Sequence, residues 1–334
     1  MKGFAWLVGM VFCAAPMSGL GADPASKPFL VGIVANTVPL NEWSASSAAD
    51  GTPHAGHAIR TGLERLGWVE GKNLRILWRS AEGRFERLPS IFNELASTPV
   101  DVIVAIGPGT SVAAKATRSV PIVMVVSAGV LGPWVASLSR PDRNLTGLTV
   151  EAEGQEGKRL ELLKRTIPKA TRIALLEEHG GCSAASNTLK DAASALGLIL
   201  VPIGFDSLDQ LERAFADASA MRADAVLVCD GVWVWRYGYQ RAINALALRH
   251  RLPIMHTAAG GADTGGLMAY GVDMMVQYRR VPYYIDRILK GAKPADLPIE
   301  QPKTLEFAVN LRTAKGLGIT IPASVLVQAD RVIE

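Results

Sequence analysis

Short apolar runs, each followed by a helical pattern, recur from Phe29 almost to the last residues of the chain. This alternation constrains the fold more than any single residue. Phe29–Val34, Leu74–Trp78, Val100–Ala105 and Pro121–Val126 read as strands apolar on both faces. A strand of a half-exposed sheet alternates in polarity; a strand covered on both sides does not. Crossover helices provide that cover in a parallel sheet. Between the runs, Ala55, Ile59, Leu63 and Leu66 fall three or four apart on one helical face, and Gly67 and Gly71 end it. Helices are expected over Leu88–Ala96 and Ser111–Arg118.

The second half repeats the plan. A helix over Gly157–Arg165 leads to a strand over Arg172–Leu176, and a helix over Ala184–Leu196 stops at Gly197 before a strand over Leu198–Ile203. Ser207 and Gln210 have capping-box spacing for the next helix. Strands over Ala225–Cys229 and Pro253–His256 flank a helix over Ala242–Arg249. The tail adds a short strand (Leu267–Tyr270), a helix (Met274–Leu289) and a Pro-rich extended stretch (Gly291–Pro302). The expected fold is α/β, with two doubly wound parallel-sheet lobes joined by a multi-strand hinge. One lobe takes 28–148 plus about 272–300, the other 149–271 plus about 303–334, with the lobes joined near Asn144 to Glu153.

Residues 1–22 read as a secretory signal. Lys2 gives a positive start, Phe4 to Ala15 is apolar, and Leu20-Gly21-Ala22 offers small residues for cleavage near Ala22. The apolar run is too short to span a bilayer. Phe12 before Cys13 argues against a lipoprotein. About 310 of the 334 residues remain, enough for two domains. The formal charge is +4, with basic residues scattered as Arg75 and Arg79, Lys158 and Arg159, Arg249 and Arg251, and Arg279 and Arg280. No basic run interleaves with aromatics, so nucleic acid is not an expected partner and these charges read as solvated surface. Cys182 and Cys229 would survive cleavage. Export permits a bridge between them, but the residues favour a buried free thiol and a loop thiol.

Several segments resemble one family. They are Gly62–Asn73 (GLERLGWVEGKN), Ala81–Arg84 with Arg87–Pro89, Val135–Pro141 with Asn144–Leu148, Gly157–Lys164, Asp286–Pro298 and Asn310–Lys315. Together they are similar to the ABC-transporter substrate-binding protein family, whose characterised relatives include tryptophan- and tyrosine-type solute receptors. The resemblance implies a type I periplasmic-binding-protein fold. It implies a monomeric solute receptor that delivers a small molecule to an ABC permease and ATPase, without catalysis or cofactor. That molecule would be an amino acid or an aromatic or carboxylate compound. The alternatives are a sensory subunit feeding a membrane kinase and an exported enzyme. The chain departs from the family after the fourth strand, where Ser127-Ala128-Gly129-Val130 replaces a stretch carrying aspartate, and in the loop Glu177–Ser183.

Ligands of open α/β sheets bind beyond the carboxyl ends of the strands. The candidate contacts are therefore loop residues: Asn36, Trp43, Gly109, Thr110, Ser111, Ser127, Ala128, Glu178, Asp230 and Trp233, with Tyr270 on the tail strand. Gly109, Thr110 and Ser111 open a helix, where exposed amides favour an anion and a hydroxyl can donate. The competing reading is an ordinary cap. Asp230 could hold an ammonium group or cap the next helix. Trp43 and Trp233 could form an aromatic wall or simply pack. Glu178 is a polar contact or a solvated loop acid. His54 and His57 read as a surface pair, because nothing nearby completes a tetrahedral metal set.

Overall fold

The computed structural model describes residues 27–45, 54–127, 131–132, 134–141, 143–150, 155–178, 187–229 and 237–334. The first sheet holds five parallel strands in the order β2-β1-β3-β4-β5. They are β1 (Phe29–Ala35), β2 (Leu74–Ser80), β3 (Val102–Ile106), β4 (Ile122–Val126) and β5 (Leu145–Thr149). Helices α1 (Leu40–Trp43), α2 (Ala55–Arg65), α3 (Leu88–Ser97) and α4 (Gly109–Ala116) connect the first four. The crossovers divide the core between the two faces. Ile33, Val104 and Val125 pack with Ile59 and Leu63 of α2, whereas Ile103 and Met124 pack with Phe92 and Leu95 of α3.

β5 was not foreseen. Its sequence, Leu-Thr-Gly-Leu-Thr, has too little apolar content to announce a strand, yet all five residues are buried. Gly147 makes it possible. Its φ is 136°, and a Cβ there would stand 2.2 Å from the Met124 carbonyl oxygen. The neighbouring strand thus approaches to backbone contact where only glycine fits.

The second sheet has seven strands in the order β12-β11-β10-β9-β8-β6-β7. They are β6 (Arg172–Glu178), β7 (Ile199–Phe205), β8 (Ala225–Val228), β9 (Ile254–Ala258), β10 (Met268–Val272), β11 (Glu306–Asn310) and β12 (Arg331–Ile333). All pairs are parallel except β10 with β11. Its helices are α5 (Gln155–Thr166), α6 (Asn187–Ala195), α7 (Leu211–Ala220), α8 (Tyr237–Arg249) and α9 (Gly260–Asp263). The expected capping box before α7 does not form. The Ser207 hydroxyl bonds the Asp209 carboxylate, and Gln210 Oε1 accepts the Asp206 N–H at 2.8 Å.

The tail divides between the sheets. Helix α10 (Met274–Leu289) packs against α2 and buries Val281, Tyr284, Ile285, Ile288 and Leu289 in the core of the first sheet. Gly62 admits it, since a Cβ there would lie 2.5 Å from Pro282 Cγ. Trp68 Nε1 donates to Asp286 at 2.9 Å across the same contact. The strand-like segment around Glu300 then pairs with β5. After it, β11, α11 (Leu311–Leu317), α12 (Ala323–Leu326) and β12 return to the second sheet. The chain therefore passes between the sheets after Thr149, after Val272 and after Glu300.

Candidate functional site

The carboxyl ends of β1 and β3 are tied by a side chain. Asn36 follows β1, is 5% exposed, and donates from Nδ2 to the Ile106 carbonyl at 2.6 Å. Among the described residues its Oδ1 has no hydrogen-bond partner, and it faces Gly109, where a Cβ would stand 3.1 Å from it and 3.3 Å from the Phe92 ring. Gly109 thus lets the first turn of α4 close on Asn36. At β5, the Thr149 hydroxyl is likewise buried without a partner among the described residues. Buried polar atoms normally find partners, so these two are candidate solute contacts at the carboxyl ends of β1 and β5, whereas Trp43 Nε1 and Trp78 Nε1, also without partners among the described residues, lie in the core.

The rim beside them is built by β2. The Ser80 hydroxyl donates to the Val38 carbonyl at 2.5 Å and accepts the Glu82 N–H at 3.0 Å. Glu82 adopts φ 54°, accepts the Leu40 N–H at 3.3 Å and pairs with Arg87. The Leu40 amide, helped by Arg87 and Arg84, holds this carboxyl below its usual range.

Thr110 and Ser111 do not offer the expected free hydroxyls. Thr110 is 1% exposed and donates to the Ala105 carbonyl, and Ser111 donates to the Pro108 carbonyl. No side chain caps α4. Trp43 is a core residue, 2% exposed and edge-on to Trp78 at a centroid distance of 5.8 Å, because α1 folds it inward over β2. Ser127 follows β4 and is half-buried. His54 caps α2 by accepting the His57 N–H at Nδ1, so the pair serves helix initiation. Ala128, Asp230 and Trp233 lie outside the described residues.

In the second sheet β6 runs two residues beyond the expected end, which makes Glu177 and Glu178 strand residues. Each is 6% exposed, so Glu178 is not a solvated loop acid. Cys229, directly after β8, is disulfide-bonded, correcting the expectation of a free thiol. Its partner lies outside the described residues. Tyr270 on β10 is half-buried and meets Phe307 edge-on at 6.4 Å.

Two groups are buried in roles that their sequence does not announce. Arg159 was counted with the solvated charges but is 4% exposed. It donates to the carbonyls of Tyr270 (2.8 Å) and Thr257 (3.0 Å) and to Gln155 Oε1 (2.6 Å). A basic residue four positions after a glutamine, on the turn that also buries Leu160 and Leu163, was the available signal. His256 is 1% exposed, with Nε2 2.7 Å from Asn244 Oδ1. Asn244 Nδ2 donates to the Gly261 carbonyl and Thr264 Oγ1, so Nε2 carries the imidazole proton. Burial pushes the His256 pKa down to about 3, and the ring is neutral.

Two parallel-dominated sheets with three passages between them define a two-lobed α/β fold of the type I periplasmic-binding-protein kind. A structure of a conserved domain protein from Vibrio cholerae O1 biovar El Tor shares this fold, with TM-score 0.78 and 24% identity over 92% of this chain and 100% of that one. So does the ABC domain from Streptococcus pneumonia in complex with L-Trp, with TM-score 0.75 and 24% identity over 91% and 100%. A tyrosine-binding protein of Clostridioides difficile strain R20291 is 25% identical over 267 residues, covering 76% of this chain and 74% of that protein. The profile of the ABC transporter substrate binding protein family matches residues 48–333, and the chain belongs to that family. It is thus the extracytoplasmic solute-binding component of an ABC transporter.

Proposed function

We propose that the chain is exported through a leader cleaved near Ala22 and works as a periplasmic monomer. It captures an amino acid, or an aromatic or carboxylate solute, between its two lobes. Closure of the lobes about the interlobe passages forms the state that docks on an ABC permease and ATPase. The lobes are 28–148 with about 272–300, and 149–271 with about 303–334.

The observation that carries this reading is the buried, unpartnered Asn36 Oδ1 at the carboxyl end of β1, facing the first turn of α4. An amide oxygen needs a donor, such as a solute ammonium or hydroxyl, while a helix start favours an anion. An amino acid carries both. The tyrosine-binding relative and the L-Trp complex support that class. The disulfide at Cys229 supports an oxidising compartment. Ser127, Glu178, Tyr270, Asp230, Trp233 and Ala128 complete the proposed contacts.

A thermal-shift screen of the mature chain with amino acids, aromatic acids and small carboxylates tests this, with L-tyrosine and L-tryptophan included and calorimetry on each hit. Asn36→Ala and Asp230→Ala should each weaken the best hit by about tenfold or more, as expected for a lost hydrogen bond to a charged group. A screen without a hit rejects the solute class, and unchanged affinity in both variants rejects the site.

A further inference from the structure

We infer that Arg159 is a positioning residue that clamps the second of the three interlobe passages to the second lobe, and so sets where the molecule bends. The inference rests on the reading of those passages as a hinge. Gln155 and Arg159 lie one turn apart on α5, so their contact fixes the guanidinium on its own helix. Tyr270 stands two residues before Val272, where β10 gives way to that second passage. One guanidinium joins α5 to this strand end. Arg159 Nη2 donates to Gln155 Oε1 at 2.6 Å and to the Thr257 carbonyl at 3.0 Å, and Nε donates to the Tyr270 carbonyl at 2.8 Å.

The backbone is shaped to receive it. The register of β10 on β9 is regular at Met268 with Met255 and Ala269 with His256, but resumes only at Val272 with Ala258. Tyr270 and Gly271 therefore share the space opposite Thr257 as a bulge. Gly271 permits it: a Cβ there would stand 1.7 Å from the Thr257 oxygen and 3.3 Å from Arg159 Nη2. Beyond the bulge, Asp273 caps α10 through the Met275 N–H at 2.8 Å, and α10 packs in the first lobe. The planar guanidinium satisfies three acceptors in fixed directions. A lysine ammonium keeps the charge without that fork.

The test uses the mature chain without added solute. Amide exchange by mass spectrometry and solution scattering are compared for wild type, Arg159→Lys, Gly271→Ala and a core control, Phe215→Leu. Exchange should rise about tenfold or more, together, in peptides covering 155–160 and 271–276 of Arg159→Lys, while β6 and β8 stay protected. Its radius of gyration should shift. Gly271→Ala attacks the same bulge from the other side and should reproduce the pattern, which keeps the test open if the lysine variant does not fold. Exchange unchanged at both segments, or raised evenly across the lobe as in Phe215→Leu, overturns the inference. Paired exchange in a chain that binds none of the screened solutes would uphold the clamp and reject solute capture instead.

Discussion

At the residue scale, the polar groups that matter are those the fold buries. His256 shows the consequence most directly. Its pKa falls from 6.5 in the unfolded chain to about 3 in the folded one, because burial penalises the charged ring. Below pH 6.5 the unfolded chain takes a proton that the folded chain refuses. Stability contributed by this group is therefore complete above that pH and declines as pH falls towards 3, by up to about 1.4 kcal/mol per pH unit. Urea melts between pH 6.5 and about 5, above the range where the carboxyls of the unfolded chain titrate, should show the slope, and His256→Gln should reduce it; an equal slope in both chains would assign the acid sensitivity elsewhere. Gly147→Ala adds a clash with Met124 to an unfavourable φ, and should cost roughly 3 kcal/mol or more. A shift in urea midpoint of less than a third of that would show that β5 can yield. For Cys229, non-reducing peptide mapping should recover a bridge to Cys182, the other cysteine that survives leader removal. A free Cys182 thiol in the mature chain would refute that pairing.

Elements depart from sequence expectation where side chains reach beyond their own segment. β6 was expected to end at Leu176 because Glu177 and Glu178 look like loop residues, yet pairing with β7 continues to Phe205. The third passage is held to the first lobe through Glu300. Its backbone pairs with Gly147 and Thr149, and its carboxylate takes Arg280 in a bidentate contact, with the guanidinium 3.6 Å from the Tyr283 ring centroid. Arg280 draws the Glu300 carboxyl below its usual range, so this stabilisation is present at neutral pH and lost as pH falls through the lowered value. Both side chains are partly exposed, which limits the pair to about 1 kcal/mol. Glu300→Gln should lower stability by that amount at pH 7 and by nothing once the carboxylate is protonated; a loss independent of pH would mean that packing, not charge, is at work.

For the whole molecule, the expected event is closure. A solute that bridges the lobes shifts the population towards the closed form in proportion to its preference for it. Scattering with and without a calorimetric hit should show a smaller radius of gyration when bound; an unchanged radius would leave binding without closure. Much of this architecture was legible in the chain. Runs apolar on both faces, separated by helical periodicity, can be buried only in parallel sheets wrapped by helices, so the α/β class follows from local pattern. The candidate site was legible only as a set of loops, because the carboxyl ends of the strands determine where loops gather. What those residues do was decided by the tertiary structure. Trp43 turned inward over β2, the Thr110 and Ser111 hydroxyls returned to their own backbone, and Arg159 left the surface for a β-bulge. The reason is physical: hydrophobic periodicity acts within one element and is written in adjacent residues, whereas a hydrogen-bond partner or a permitted close approach is supplied from outside the element, as Ala105 of β3 serves Thr110 and β9 and β10 serve Arg159. Arg159 and Tyr270, 111 residues apart, meet only once both elements are in place.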